Sequence, residues 1–251
     1  MTRLFEVGLS FGQVRLWTMS RIEENSAAYN MPIGLRLKGQ LNIRALGESL
    51  TYIVERHESL RTLICENEQG DPIGYVVSVP EQQELIHEID LKDCDPLARE
   101  SQAFEHIQRI SKTPFNLSSD IPLRVELIAL TPTEHVLVVV MHHHASDATS
   151  AGIFLSEMTR AYAAFSQGLN PDFTALPIQY SDWAVWQQET LDQDLPEKIE
   201  RARQRLLNVP DFLSLPLDHG RHADRERRVG YVPIEISANL SERLLELANI
   251  G

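Results

Sequence analysis

Val136-Leu137-Val138-Val139-Val140-Met141 runs directly into His142-His143-His144-Ala145-Ser146-Asp147. The six apolar residues have strand length and fall far short of the roughly 18–20 needed to span a membrane. No longer apolar run occurs, so the stretch reads as a buried strand that ends on three imidazoles. Successive strand residues face opposite sides. His142 and His144 would therefore share one face and His143 the other, if the strand persists that far. A free imidazole titrates near pH 6.5, which suits a proton acceptor at neutral pH.

Outward from this strand, the order is alternating α/β. Residues 123–130 form a second apolar strand, joined to the first by the polar turn at residues 131–134. Ile33, Leu35 and Leu37 alternate with Gly34, Arg36 and Lys38, the pattern of a half-buried strand. Asn42 stands as an N-cap before a helix whose apolar positions are Leu46, Leu50, Ile53 and Val54. Residues 60–65 and 73–79 flank a polar turn holding Gly70 and read as a hairpin. Residues 97–110 are helical and stop near Pro114. Residues 150–167 form a helix with Ile153, Phe154, Met158, Tyr162 and Phe165 on one side, ended by Gly168 and Pro171. Residues 178–190 and 197–207 read as two further helices. Residues 211–228 have no clear period and read as a long crossing loop. Residues 231–236 alternate as a strand, and Ser237 caps a last helix to about Ala248.

The chain has 251 residues with a net charge of −13, and 43% of them are hydrophobic. That composition is globular, and its acidity disfavours nucleic acid as a partner. Arg3, Glu6 and Arg15 leave no secretory signal in the first twenty residues. Two cysteines, Cys65 and Cys94, make no disulfide framework, and a cytoplasmic location fits.

Three readings of the histidine cluster stand open. The rings could be satisfied polar groups at a strand end. His142 and His144 could be metal ligands, although a third ligand is not evident and neither H-E-x-x-H nor C-x-x-C occurs. One of them could be a general base. Cys65 lies in an expected strand, and Cys94 sits beside Asp93 and Asp95, which disfavours a thiolate nucleophile. Ser146 lacks a G-x-S-x-G setting. No glycine-rich phosphate loop is present.

His142-His143-x-x-x-Asp147 resembles the H-H-x-x-x-D-G signature of the condensation domains of nonribosomal peptide synthetases. Ser10-Phe11-Gly12-Gln13-Val14-Arg15-Leu16-Trp17 resembles the family's first motif, S-x-A-Q-x-R-L-W. Arg56-His57-Glu58-Ser59-Leu60-Arg61-Thr62 matches its second, R-H-E-x-L-R-T. Tyr180-Ser181-Asp182-Trp183-Ala184-Val185-Trp186 resembles its fourth, Y-x-D-Y-A-V-W. Two positions depart: Gly12 replaces an alanine, and Ala148 replaces the signature's glycine. If the native turn required a positive φ at 148, alanine would strain it.

The resemblance implies a chloramphenicol-acetyltransferase-like fold, here a two-layer α/β sandwich lobe with a mixed sheet and packed helices. It implies an N-terminal lobe over residues 1–209. Residues 210–251 would then be the crossing loop and first strand and helix of an incomplete C-terminal lobe, so that the fragment alone would be inactive. The implied activity is peptide-bond formation between donor acyl and acceptor aminoacyl thioesters. These arrive on the phosphopantetheine arms of peptidyl carrier domains belonging to adjacent synthetase modules. No intrinsic cofactor, metal or membrane is implied. His143 takes the place of the catalytic histidine, with His142 and His144 as packing or hydrogen-bonding residues. Asp147 takes a structural place, with Arg56 and Arg61 as its candidate buried partners. Trp17 and Trp186 are expected as core anchors. A non-catalytic carrier-docking module and an epimerization domain are the alternatives. The latter typically carries S-W-R after the aspartate, where Ala148-Thr149-Ser150 stands here. Heterocyclization domains replace the histidines by aspartates.

Overall fold

The apolar run is the middle of β7 (Glu134–His142), the centre of a four-stranded sheet. It pairs antiparallel with β2 (Asn30–Lys38) on one side and β6 (Leu123–Thr131) on the other. β5 (Ile86–Asp90) extends β6 in parallel, so the sheet is mixed, in the order β2-β7-β6-β5. The computed structural model describes all residues except 24–25, 82–84, 211–212, 214–215, 217–233 and 249–251, and at 192–194 the backbone alone.

The uninterrupted valines follow from burial on both faces. Leu137, Val139 and Met141 join one core with Leu50, Ile53 and Val54 of α2 (Ile43–Arg56). Phe154 and Met158 of α4 (Ala148–Phe165) close that core. Val136, Val138 and Val140 join a second core, made with Ala103 and Ile110 of α3 (Pro96–Lys112), with Phe115 and Leu117, and with Trp17 of α1 (Phe11–Ile22). β2 has a neighbour on one side only, and its alternation holds: Ile33, Leu35 and Leu37 pack on the first core while the residues between them are exposed. Asn42 caps α2 by accepting the Ala45 N–H at 3.0 Å.

A second, antiparallel sheet has the order β1-β4-β3, from β1 (Arg3–Val7), β3 (Thr62–Glu66) and β4 (Pro72–Val77). The expected hairpin is β3–β4, and Gly70 takes a φ of +86° in its turn, open to glycine at no cost. Residues 58–61 are a 3₁₀ turn, not the start of the strand.

Several elements differ from expectation. β1, α1 and β5 have no apolar period strong enough to announce them: β1 is exposed along most of its length, and α1 buries only Gln13 and Leu16. The signal for α1 is its capping box, Ser10 with Gln13 three residues on. Residues 178–190 and 197–207 are not two helices but one, α5 (Tyr180–Leu206), with Pro196 inside it. A proline removes one backbone hydrogen bond, and the good helix formers around it carry the helix through. Trp186 is no core anchor: it is 58% exposed, because α5 buries Ala184 on that turn. Ile153 likewise leaves the buried side of α4, at 50% exposure, where Phe154, Met158 and Ala161 are the buried residues.

The chain divides into two compact units, Met1–Glu200 and Arg201–Gly251. In the second, α6 (Ala238–Ala248) starts after Ser237, whose carbonyl accepts the Ser241 N–H at 2.9 Å. The expected crossing loop lies almost wholly outside the described residues. So does the first half of the expected strand, and its described part, residues 234–236, is not in a sheet. The histidine cluster belongs to the first unit.

Candidate active site

β7 ends at His142, and the chain turns through residues 143–145 before α4 begins. Backbone bonds pin this turn from several directions. The His142 N–H donates to Pro122 O at 3.1 Å, the His143 N–H to Tyr29 O at 2.9 Å and the Ala145 N–H to His142 O at 3.0 Å. The buried side chain of Gln13 reaches in from α1, its Nε2 donating to His144 O at 3.3 Å.

The three imidazoles separate into a buried pair and an exposed one. His142 and His144 are each only 4% exposed, and their Nδ1 atoms lie 2.9 Å apart. Burial is the main force that pushes His142 down to about 3, with the neighbouring His144 and His143 adding to it. Burial also pushes His144 down to about 4. Both rings are therefore neutral near pH 7. Thr62 O only accepts, so the proton of His144 sits on Nε2, which donates to it at 3.2 Å, while the His144 backbone N–H donates to His142 Nδ1 at 3.3 Å. Phe115 meets the edge of the His142 ring, with centroids 5.8 Å apart.

His143 is exposed and lines a cleft. Its Nδ1 lies 2.7 Å from Ser146 O. A carbonyl only accepts, so Nδ1 carries the proton and Nε2 keeps the lone pair. That is the tautomer a general base requires, held in place by the backbone three residues on.

Asp147 is not where an ion pair would put it. It is exposed and is the N-cap of α4: Oδ1 accepts both the N–H and the hydroxyl of Ser150, each at 2.7 Å. These bonds, the backbone one first, hold its carboxyl below the usual carboxylate range. The two arginines expected as its partners are engaged elsewhere. Arg61 is buried and donates to the carbonyls of Val54, Glu55 and Val77. Two of these are last-turn carbonyls of α2 that would otherwise lack donors. Arg56 Nε lies 3.3 Å from Glu157 Oε1, and His57 Nε2 lies 2.6 Å from Glu157 Oε2. Ala148 opens α4 without strain: among the described residues, Asn208 is the one non-glycine with a positive φ. Gly12 is equally permissive, since a Cβ there would meet nothing nearer than Ser10 Oγ at 3.7 Å.

The cleft holds about 600 Å³ and gathers all four motifs. Gly12, Gln13 and Arg15 come from the first, His57 and Ser59 from the second, His143 and Asp147 from the third and Tyr180 from the fourth. Hydrogen bonds tie these segments together. Ser10 Oγ lies 3.0 Å from Tyr180 Oη, Gln179 Nε2 donates to Arg56 O at 3.0 Å, and the Glu58 N–H donates to Gln179 Oε1 at 3.2 Å. Glu157 is a residue that sequence reasoning misses, since it stands alone on its helix, outside every motif and polar cluster. Among the described residues, no three His, Cys, Asp or Glu side chains are grouped to hold a metal ion, and no helix is long and apolar enough to cross a membrane.

The site is thus a backbone-locked histidine, just past the end of an inner strand of a mixed sheet, facing a cleft. The family is identified by comparison: the model of the condensation domain matches residues 5–250, and the chain belongs to that family. The dimodular nonribosomal peptide synthase of Bacillus subtilis is 32% identical over 249 residues, covering 97% of this chain and 10% of that protein. The crystal structure of the X-domain from teicoplanin biosynthesis matches with a TM-score of 0.82 and 29% identity, covering 100% of this chain and 54% of that one. The first condensation domain of the calcium-dependent antibiotic synthetase matches with a TM-score of 0.71 and 22% identity, over 83% of this chain and 49% of that one, and shows the shared fold. The chain thus spans about half of these solved domains and a small fraction of the synthase.

Proposed function

We propose that this chain supplies the histidine-bearing lobe for amide-bond formation between two carrier-bound thioesters. The observation that carries the reading is His143: Nδ1 is locked on Ser146 O, Nε2 is open, and the ring lines a cleft built from all four motifs. A donor acyl thioester and an acceptor aminoacyl thioester arrive on phosphopantetheine arms of carrier domains in neighbouring synthetase modules, in the cytoplasm. The acceptor ammonium loses one proton to solvent and stands as the free amine beside His143 Nε2. The amine attacks the donor carbonyl, the C–N bond forms, His143 Nε2 takes the proton that the nitrogen sheds, and the imidazolium passes that proton to the thiolate as the C–S bond breaks. The open thioester is already activated, so much of the rate comes from holding both reactants together. The second half of the domain supplies the opposing wall that does so.

The test uses the chain joined to a C-terminal lobe of the family, with both carriers loaded and product read by mass spectrometry. Single-turnover amide formation is expected, with His143→Ala slower by about 10²–10⁴-fold while the fold is kept. The chain without that lobe forms no product. A folded His143→Ala at the wild-type rate would overturn the role of His143. A wild type that binds both carriers and forms no amide would make the protein a docking module.

A further inference from the structure

The hydrogen-bond polarity at the first and fourth motifs singles out a second group in the cleft. Ser10 is buried to 1% exposure, and its Oγ has two partners among the described residues. The first is the Gln13 N–H, which donates to Oγ at 3.2 Å as the α1 cap. The second is Tyr180 Oη at 3.0 Å. A serine hydroxyl has one proton, and a buried one needs an acceptor. The Gln13 N–H can only donate, so the proton of Ser10 goes to Tyr180 Oη. Tyr180 then accepts from Ser10 and retains its own proton, with no acceptor among the described residues. The phenol lines the same cleft as His143 and is 42% exposed.

We propose that Tyr180 is a further catalytic residue, donating its hydroxyl proton in a hydrogen bond to the donor thioester carbonyl and to the oxyanion that replaces it. This rests on the condensation reading above. The chain Gln13 N–H to Ser10 Oγ–H to Tyr180 O–H runs in one direction, and each link polarises the next. It starts at the N-terminus of α1, where backbone N–H groups already point outward. When the amine adds to the carbonyl, negative charge gathers on the carbonyl oxygen, and a donor already aimed there needs no reorganisation. The bond strengthens as the tetrahedral intermediate forms and weakens as the C–S bond breaks, so it stabilises the transition state more than the bound substrate. Tyr180 transfers no proton: it begins and ends as the phenol. Its ring is placed by the start of α5 and by Trp183, whose ring centroid lies 5.2 Å away.

The experiment is single-turnover amide formation in the two-lobed protein, at saturating loaded carriers. Tyr180→Phe removes the hydroxyl and keeps the ring. Its rate is expected to fall about 10²-fold, as for loss of one oxyanion donor, with half-saturating carrier concentrations unchanged. Ser10→Ala keeps the Tyr180 proton and is expected to lose less than about 10-fold. Fluorotyrosine at 180 keeps the ring, the hydroxyl and the fold. A more acidic phenol donates a stronger hydrogen bond, so the rate is expected to rise with fluorination in the pH range where the phenol stays protonated, a response that a packing role would not produce. Wild-type rates in Tyr180→Phe, or a rate indifferent to fluorination, would overturn the assignment while leaving His143 untouched. A wild type that forms no amide would overturn the condensation reading and this one with it.

Discussion

Acid should loosen this fold through two rings that do no chemistry. His142 and His144 are held neutral by burial, at about 3 and about 4. In the unfolded chain both would titrate near 6.5. The folded values are the lower ones, so between about pH 6.5 and 4 the unfolded state binds protons that the folded state refuses. Stability is fully present above about pH 6.5 and falls as the pH drops toward the folded values. At pH 5, keeping one such ring neutral costs about 2 kcal/mol, hence about 4 kcal/mol for the pair. That is comparable with the lower end of typical domain stability, about 5 kcal/mol. The assay is urea unfolding at pH 7.5 and pH 5.0, for the wild type and for His142→Gln/His144→Gln. Carboxylates titrate in both proteins and cancel in the difference. The wild type is expected to lose about 4 kcal/mol more than the double variant over that interval, with each single variant removing about half of the excess. Equal losses would refute the assignment of two buried neutral rings.

Two further outcomes follow from the geometry around the cleft. Asp147→Ala removes an exposed N-cap, so it should cost about 0.5–2 kcal/mol in denaturant unfolding, largely restored by Asp147→Ser. A loss of about 3–5 kcal/mol would instead indicate a buried ion pair. Glu157→Ala should cost roughly 3 kcal/mol, because it strands the Arg56 guanidinium, whose side chain is 13% exposed. A change below about 1 kcal/mol in the melting or urea midpoint analysis would show that solvent compensates.

Residue order alone determined the elements whose burial is one-sided or complete. The alternation at Ile33, Leu35 and Leu37, the six apolar residues before His142 and the helical spacing of Leu46, Leu50, Ile53 and Val54 each reflect a local period that matches a face. The four motifs were equally legible, and with them the family. What escaped were elements lacking a period: β1 and β5 at sheet edges, and α1, whose cap is a better signal than its face.

Only the tertiary structure decided the partners. Sequence chemistry allows a carboxylate and an arginine to meet, but not whether a helix start needs the carboxylate first. Asp147 went to the N–H groups of α4, and Arg61 to the free carbonyls of α2. Three adjacent histidines carry the same chemistry on paper. Their difference arose because β7 ends at His142, so the turn folds His144 back onto His142 under the core and leaves His143 in the cleft. Burial and hydrogen-bond direction depend on residues distant in the chain, such as Thr62, Gln13 and Tyr29 around this one turn. Identical neighbours in the sequence therefore became two buried, neutral rings and one imidazole open to the cleft.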